Sequence, residues 1–148
     1  MIEKRNFYIN GSWVAPKNSK DIEVINPATE KVCAVISSGS KADVNDAVLA
    51  AKEAFKTWGY STKEERIALL ETFYTLYKKR WNDITDAIVQ EMGAPKDFAL
   101  KLQTGTGASH TKSFIRYLKE FEFEKPLGEH AKNQRLIYEP KGVCALIT

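Results

Sequence analysis

Apolar and polar positions alternate at the start of the chain, where Asn6-Phe7-Tyr8-Ile9 and Ser12-Trp13-Val14 flank Asn10-Gly11. An Asn-Gly pair accepts the two positive φ angles of a type I′ turn, so the chain is expected to open with a β-hairpin. Ile22 and Val24, then Val32 to Ile36, read as two further strands. The intervening Asn26-Pro27-Ala28-Thr29 marks a turn, because Pro presets φ and Asn bonds its own backbone. At Ser40 the period changes from 2 to 3.6: Val44, Ala47, Val48, Ala51, Phe55 and Trp58 fall on one helical stripe.

Ser40 with Asp43 makes a capping box for that first helix, and Gly59 ends it. Ser61 with Glu64 is read as the cap of a second helix. Its inner face is Ile67, Leu70, Phe73, Tyr74, Tyr77 and Trp81, opposite Lys63, Glu64, Glu71 and Lys78. A third helix runs from Asn82 to Met92, with Ile84, Ala87 and Ile88 inward and a stop at Gly93 and Pro95. The fourth segment, Lys96 to Glu122, holds Gly105 and Gly107. Each costs about 1 kcal/mol relative to Ala, which predicts a kink or break there. Phe114, Ile115, Leu118 and Phe121 restore the stripe, residues 124–128 close the helical block, and Gln134 to Glu139 alternates again as a strand.

After Pro140-Lys141-Gly142, the run Val143 to Ile147 is apolar on both faces. Such a strand belongs inside a sheet covered on each side, typically a parallel one. Leaving Val143, Leu146 and Ile147 in water would forfeit about 1.5 to 3 kcal/mol each. No strand is predicted within the helical block to flank this run. Its neighbours are therefore expected from a partner chain or, the preferred reading, from a longer polypeptide of which this is the front.

Composition narrows the function classes. Of 148 residues, 43% are hydrophobic and 28% charged, the profile of a globular protein with one core. The net charge of +3 is small, and Lys and Arg are interleaved with Glu and Asp, which argues against a nucleic-acid partner. The longest apolar run, Val143 to Ile147, is far short of a membrane span, and the start carries no signal-peptide pattern, so a cytoplasmic location is expected. Cys33 and Cys144 lie in apolar strand patterns and read as core thiols. His110 and His130 have no carboxylate or Cys at ligand spacing, so no metal site is expected. Gly105-Thr106-Gly107 lacks the third Gly and the Lys-Ser/Thr of a phosphate loop. No catalytic constellation is present.

Three stretches in order carry a family resemblance: Tyr8-Ile9-Asn10-Gly11-Ser12-Trp13, Asn26-Pro27-Ala28-Thr29, and Glu139-Pro140-Lys141-Gly142-Val143-Cys144-Ala145-Leu146-Ile147-Thr148. Together they resemble the opening portion of the aldehyde dehydrogenase superfamily, with a helical block between. The resemblance implies an α/β fold: an N-terminal β-hairpin and helical layer leading into the first strand of a Rossmann-like parallel sheet, incomplete in these residues. Residues 1–122 would be the N-terminal part of the cofactor-binding domain, 123–141 the start of a β oligomerisation arm, and 142–148 the first central strand.

The resemblance also implies the family chemistry, oxidation of an aldehyde to a carboxylic acid with NAD or NADP. A Cys thiolate attacks, a hydride leaves to the nicotinamide, a Glu activates water, and an Asn with a backbone N–H stabilises the oxyanion. None of these groups falls within residues 1–148, so the chain alone is expected to be inactive and to bind no cofactor. Ile147 and Thr148 match the positions where the strand end approaches the cofactor, as strand ends do in open α/β sheets. His110 sits in a helix similar to the substrate-channel wall of some members, although a core or surface role suits it better. A homo-oligomer through the 123–141 arm is implied. The rival reading is a non-catalytic module that binds itself or a partner.

Overall fold

The computed structural model of the chain describes residues 1–18 and 20–147. Its first strand, β1 (Ile2–Lys4), precedes the hairpin and pairs in parallel with β5 (Lys31–Ser37), setting Ile2 opposite Ala34. Three residues with one apolar side chain carry no readable period, which is why the sequence pattern missed it. The hairpin follows as β2 (Phe7–Ile9) and β3 (Ser12–Val14), with Asn10 at φ 51° and Gly11 at φ 76°, the two positive angles of the expected turn. β4 (Asp21–Asn26) runs antiparallel to β5, giving the order β1-β5-β4. The turn between them is fixed by the Asn26 side chain, whose Oδ1 accepts from the Ala28 N–H at 2.9 Å.

Residues of this sheet that share a row share a face. Ile2, Ala34 and Val24 form one row, Lys4, Ile36 and Ile22 the next, and Ile25 with Val32 a third beyond a bulge. Ile2, Ile22, Ile25, Val32 and Ile36 on that face are 36% to 46% exposed. On the opposite face Val35 is buried and the Cys33 Sγ lies 3.8 Å from the Gln90 carbonyl of the neighbouring helix.

The helices are α1 (Lys41–Trp58), α2 (Lys63–Lys79) and α3 (Trp81–Met92). α1 carries the expected Ser40–Asp43 box. On α2 the box is Thr62 with Glu65, one residue beyond the expected Ser61 and Glu64. Ser61-Thr62-Lys63-Glu64-Glu65 contains two overlapping boxes, and Ser61 is drawn away by donating to the Trp58 carbonyl at 2.7 Å while accepting from Arg66 Nε at 2.9 Å. α3 ends at Gly93, φ 65°, where a Cβ would come within 2.8 Å of the Pro27 ring and 3.0 Å of the Ala28 nitrogen. Glycine is required there by both backbone conformation and space.

The fourth segment departs from expectation. A short turn, α4 (Lys96–Phe98), passes through a π-turn over Ala99–Gln103 into α5 (Thr104–Glu120), so the irregularity precedes the two glycines. Gly107 is explained by packing, since a Cβ would overlap the Tyr77 hydroxyl, whereas Gly105 faces open space. α2 and α5 pack together, but the expected inner stripes are only partly buried: Phe73 is half exposed and Phe114 is 70% exposed, with Ile115 buried in its place. Trp81 begins α3 rather than closing α2. Leu69, Phe73 and Leu76 on α2, and Phe114, Tyr117 and Phe121 on α5, form outward apolar stripes.

Residues 124–128, read as closing the helices, begin a second antiparallel pair: β6 (Glu124–Pro126) and β7 (Arg135–Ile137), clasped by a Glu124–Arg135 ion pair at 3.0 Å. The run Val143 to Ile147 forms no strand pairing among the described residues, and Leu146 and Ile147 are over nine-tenths exposed. The molecule exposes 11709 Å². A compact monomer of 16.7 kDa exposes about 7,600 Å².

Candidate functional site

Ile147 lies at the exposed end of the chain with no strand neighbour, and Thr148 lies outside the described residues. Cys144, expected in a core strand, is exposed instead. Cys33 is half-buried, and its thiol donates to the Val24 carbonyl at 3.3 Å, which suits a structural thiol. His110 and His130 are both exposed. Among the described residues no group of three His, Cys, Asp or Glu side chains is placed to hold a metal.

The structure instead assembles a polar latch around the π-turn that the sequence did not disclose. In the π-turn the Thr104 N–H reaches five residues back to the Ala99 carbonyl, which frees the Leu100 carbonyl from its usual helical partner. Trp81 Nε1 donates to that oxygen at 3.2 Å. Tyr77 Oη donates to the Thr104 carbonyl at 3.0 Å, and burial pushes the Tyr77 phenol up from its ordinary pKa, keeping it a neutral donor. Thr85 Oγ1 donates to the Trp81 carbonyl at 2.9 Å, so the hydroxyl of Thr104, 2.9 Å away, donates to Thr85. Thr85 and Thr104 are fully buried, as polar groups can be only when satisfied. The spacing Trp81, Thr85, Ile88 on one helical stripe is the signal that could have placed Thr85 inside. The latch contains no nucleophile beside a base, so its chemistry is architectural.

A groove of about 340 Å³ separates the α1–α2 connection from the β6–β7 pair, lined by Gly59, Ser61, Lys63, Arg66, Phe123 and Tyr138. Its walls are held by cations already engaged. Lys63 Nζ donates to the last carbonyls of α5, Lys119 at 2.9 Å and Phe121 at 3.2 Å. Arg66 stacks on Phe123 at 5.7 Å from the ring centre and donates to the Gly59 carbonyl at 3.3 Å. Phe121, Phe123 and Tyr138 meet edge to face at 4.9 and 5.1 Å. These contacts anchor the β6–β7 hairpin to the helices while Arg135 and Ile137 face solvent.

This arrangement matches known proteins. The model of the aldehyde dehydrogenase family matches residues 13–148. A 3-succinoylsemialdehyde-pyridine dehydrogenase from a Pseudomonas species is 42% identical over 149 residues, covering 100% of this chain and 30% of the relative. A putative aldehyde dehydrogenase of Staphylococcus aureus is 38% identical, covering 95% of this chain and 29% of its own length. Among solved structures, an aldehyde dehydrogenase from Bartonella henselae superposes with a TM-score of 0.85 at 48% identity, over 87% of this chain and 27% of that one. Aldehyde dehydrogenase C from Pseudomonas syringae, solved with NAD+ and octanal, gives a TM-score of 0.80 at 37% identity, over 84% and 26%. The 148 residues thus span less than a third of the relatives they match. With a family match over nearly the whole chain and a backbone that follows the solved enzymes, this chain belongs to the aldehyde dehydrogenase family.

Proposed function

We propose that these residues form the N-terminal part of an NAD(P)-dependent aldehyde dehydrogenase, an oxidoreductase taking aldehydes to carboxylic acids. The observation that carries this reading is the superposition of the chain on about a quarter of complete enzymes, one of them solved with NAD+ and octanal. In this reading residues 1–122 belong to the cofactor-binding domain, 123–141 begin the assembly arm, and 142–148 become the first central strand once neighbours flank it. Ile147 and Thr148 would then border the cofactor. The described end of that run offers main chain and apolar side chains with no cradle of donors for a pyrophosphate, so the cofactor would be held chiefly by residues outside this segment.

The chain alone is expected to be catalytically silent. Incubating it with NAD or NADP and a panel of aldehydes, and following reduced cofactor by absorbance, should give no turnover. Turnover would overturn that expectation. Grafting residues 1–148 in place of the matching segment of the Bartonella henselae enzyme tests the function itself. A folded chimera that oxidises aldehydes supports the reading, and a folded, inactive chimera overturns it. A second reading, a non-catalytic self-associating module, is favoured by the unpaired outer edge of the β6–β7 hairpin among the described residues.

A further inference from the structure

The face of the β1-β5-β4 sheet that carries Ile2, Ile22, Ile25, Val32 and Ile36 has no element of this chain packed over it in proportion to its apolarity, each of those side chains being more than a third exposed. A sheet face of β-branched residues is built to be covered. We propose that this face docks, in trans, the portion of an aldehyde dehydrogenase fold that these 148 residues do not contain. The inference rests on the family reading above and adds to it a surface and a partner.

Size decides between occupants. Five partly exposed aliphatic side chains offer far less than the roughly 800 Å² per partner of a standard stable interface, so a second copy seated on this face alone would be poorly held. The molecule as a whole exposes about 4,000 Å² more than a compact chain of its mass, which lies in the range of about 2,000 to 5,000 Å² buried by obligate assemblies. Only a partner that also flanks Val143 to Ile147 and reaches the outward stripes of α2 and α5 covers that much. The complementary part of the same fold is such a partner, because the backbone here already follows that of the complete enzymes. The surface is pre-organised, so docking does not carry the cost of ordering it.

The test mixes the purified chain with a polypeptide comprising the rest of the Bartonella henselae enzyme, the matching segment removed. Light scattering is expected to report a one-to-one complex. Ile22→Asp with Ile36→Asp should weaken it at least tenfold, while Ile22→Val with Ile36→Val should not. Should the Asp variant lose its helical circular dichroism, hydroxyl-radical footprinting of the unaltered chain decides, with protection of Ile22, Ile25, Val32 and Ile36 expected on mixing. Absence of a complex between folded partners, a complex indifferent to the Asp changes, or unprotected isoleucines would each overturn the proposal. A complex that protects the face yet oxidises no aldehyde supports the docking surface and counts against the catalytic reading alone.

Discussion

Single side chains in this molecule do work that their positions in the sequence conceal. Gly107 is tolerated in the interior of α5 because the Tyr77 hydroxyl occupies the space a Cβ would need. Gly107→Ala should therefore destabilise by about 1 to 3 kcal/mol through overpacking, against the small gain its helix propensity would give on an open face. Tyr77→Phe in the same chain should recover part of the loss, as denaturant unfolding of the single and double variants would measure. Asp43 is buried at the start of α1, accepting from the Ser40 hydroxyl at 2.6 Å, the Lys17 N–H at 2.9 Å and the Ser40 N–H at 2.8 Å. The Ser40 hydroxyl above all, then the two backbone donors, hold its carboxyl below the ordinary 3.8. A depressed carboxylate contributes stability that is complete above its unfolded-state value and is lost as pH falls through its lower folded value. Asp43→Asn keeps an acceptor but not the charge, so circular dichroism followed on acidification should show a shallower loss of stability for the variant below about pH 4.

Elements with a strong period were readable, and those set by tertiary contact were not. The hairpin at Asn10-Gly11, the Ser40 box and the Gly93 stop follow from local chemistry and stand where the pattern puts them. β1 escaped because its register comes from β5, some thirty residues later. The π-turn escaped because it depends on Trp81 and Tyr77 from other helices. Of the candidate site, the absence of a catalytic constellation could be read from residue types, but the exposure of residues 143–147 could not, since apolarity says what a strand needs and not what surrounds it. Trp81→Phe should test the latch. It leaves the Leu100 carbonyl without a donor, which costs about 1 to 3 kcal/mol when buried. Amide exchange at residues 99–104 should quicken well beyond that of α1.

At the scale of the whole molecule, core is scarce relative to skin. The buried apolar residues are Val35, Ala99, Ala108 and Ile115, while Phe73, Leu76, Phe114 and Leu146 are half exposed or more. A chain with so small a buried set should unfold over a broad denaturant range and bind the dye ANS before unfolding begins. Fluorescence titration would show this, and a dark, sharply cooperative chain would contradict it. The parallel pairing of Ile2–Lys4 with Ala34–Ile36 carries a consequence for synthesis. The earliest residues to leave the ribosome must wait, unzipped, until the fifth strand emerges, whereas the hairpin between them closes on its own. A bulky tag fused ahead of Met1 would therefore hinder the last stitch of this sheet and spare its first fold.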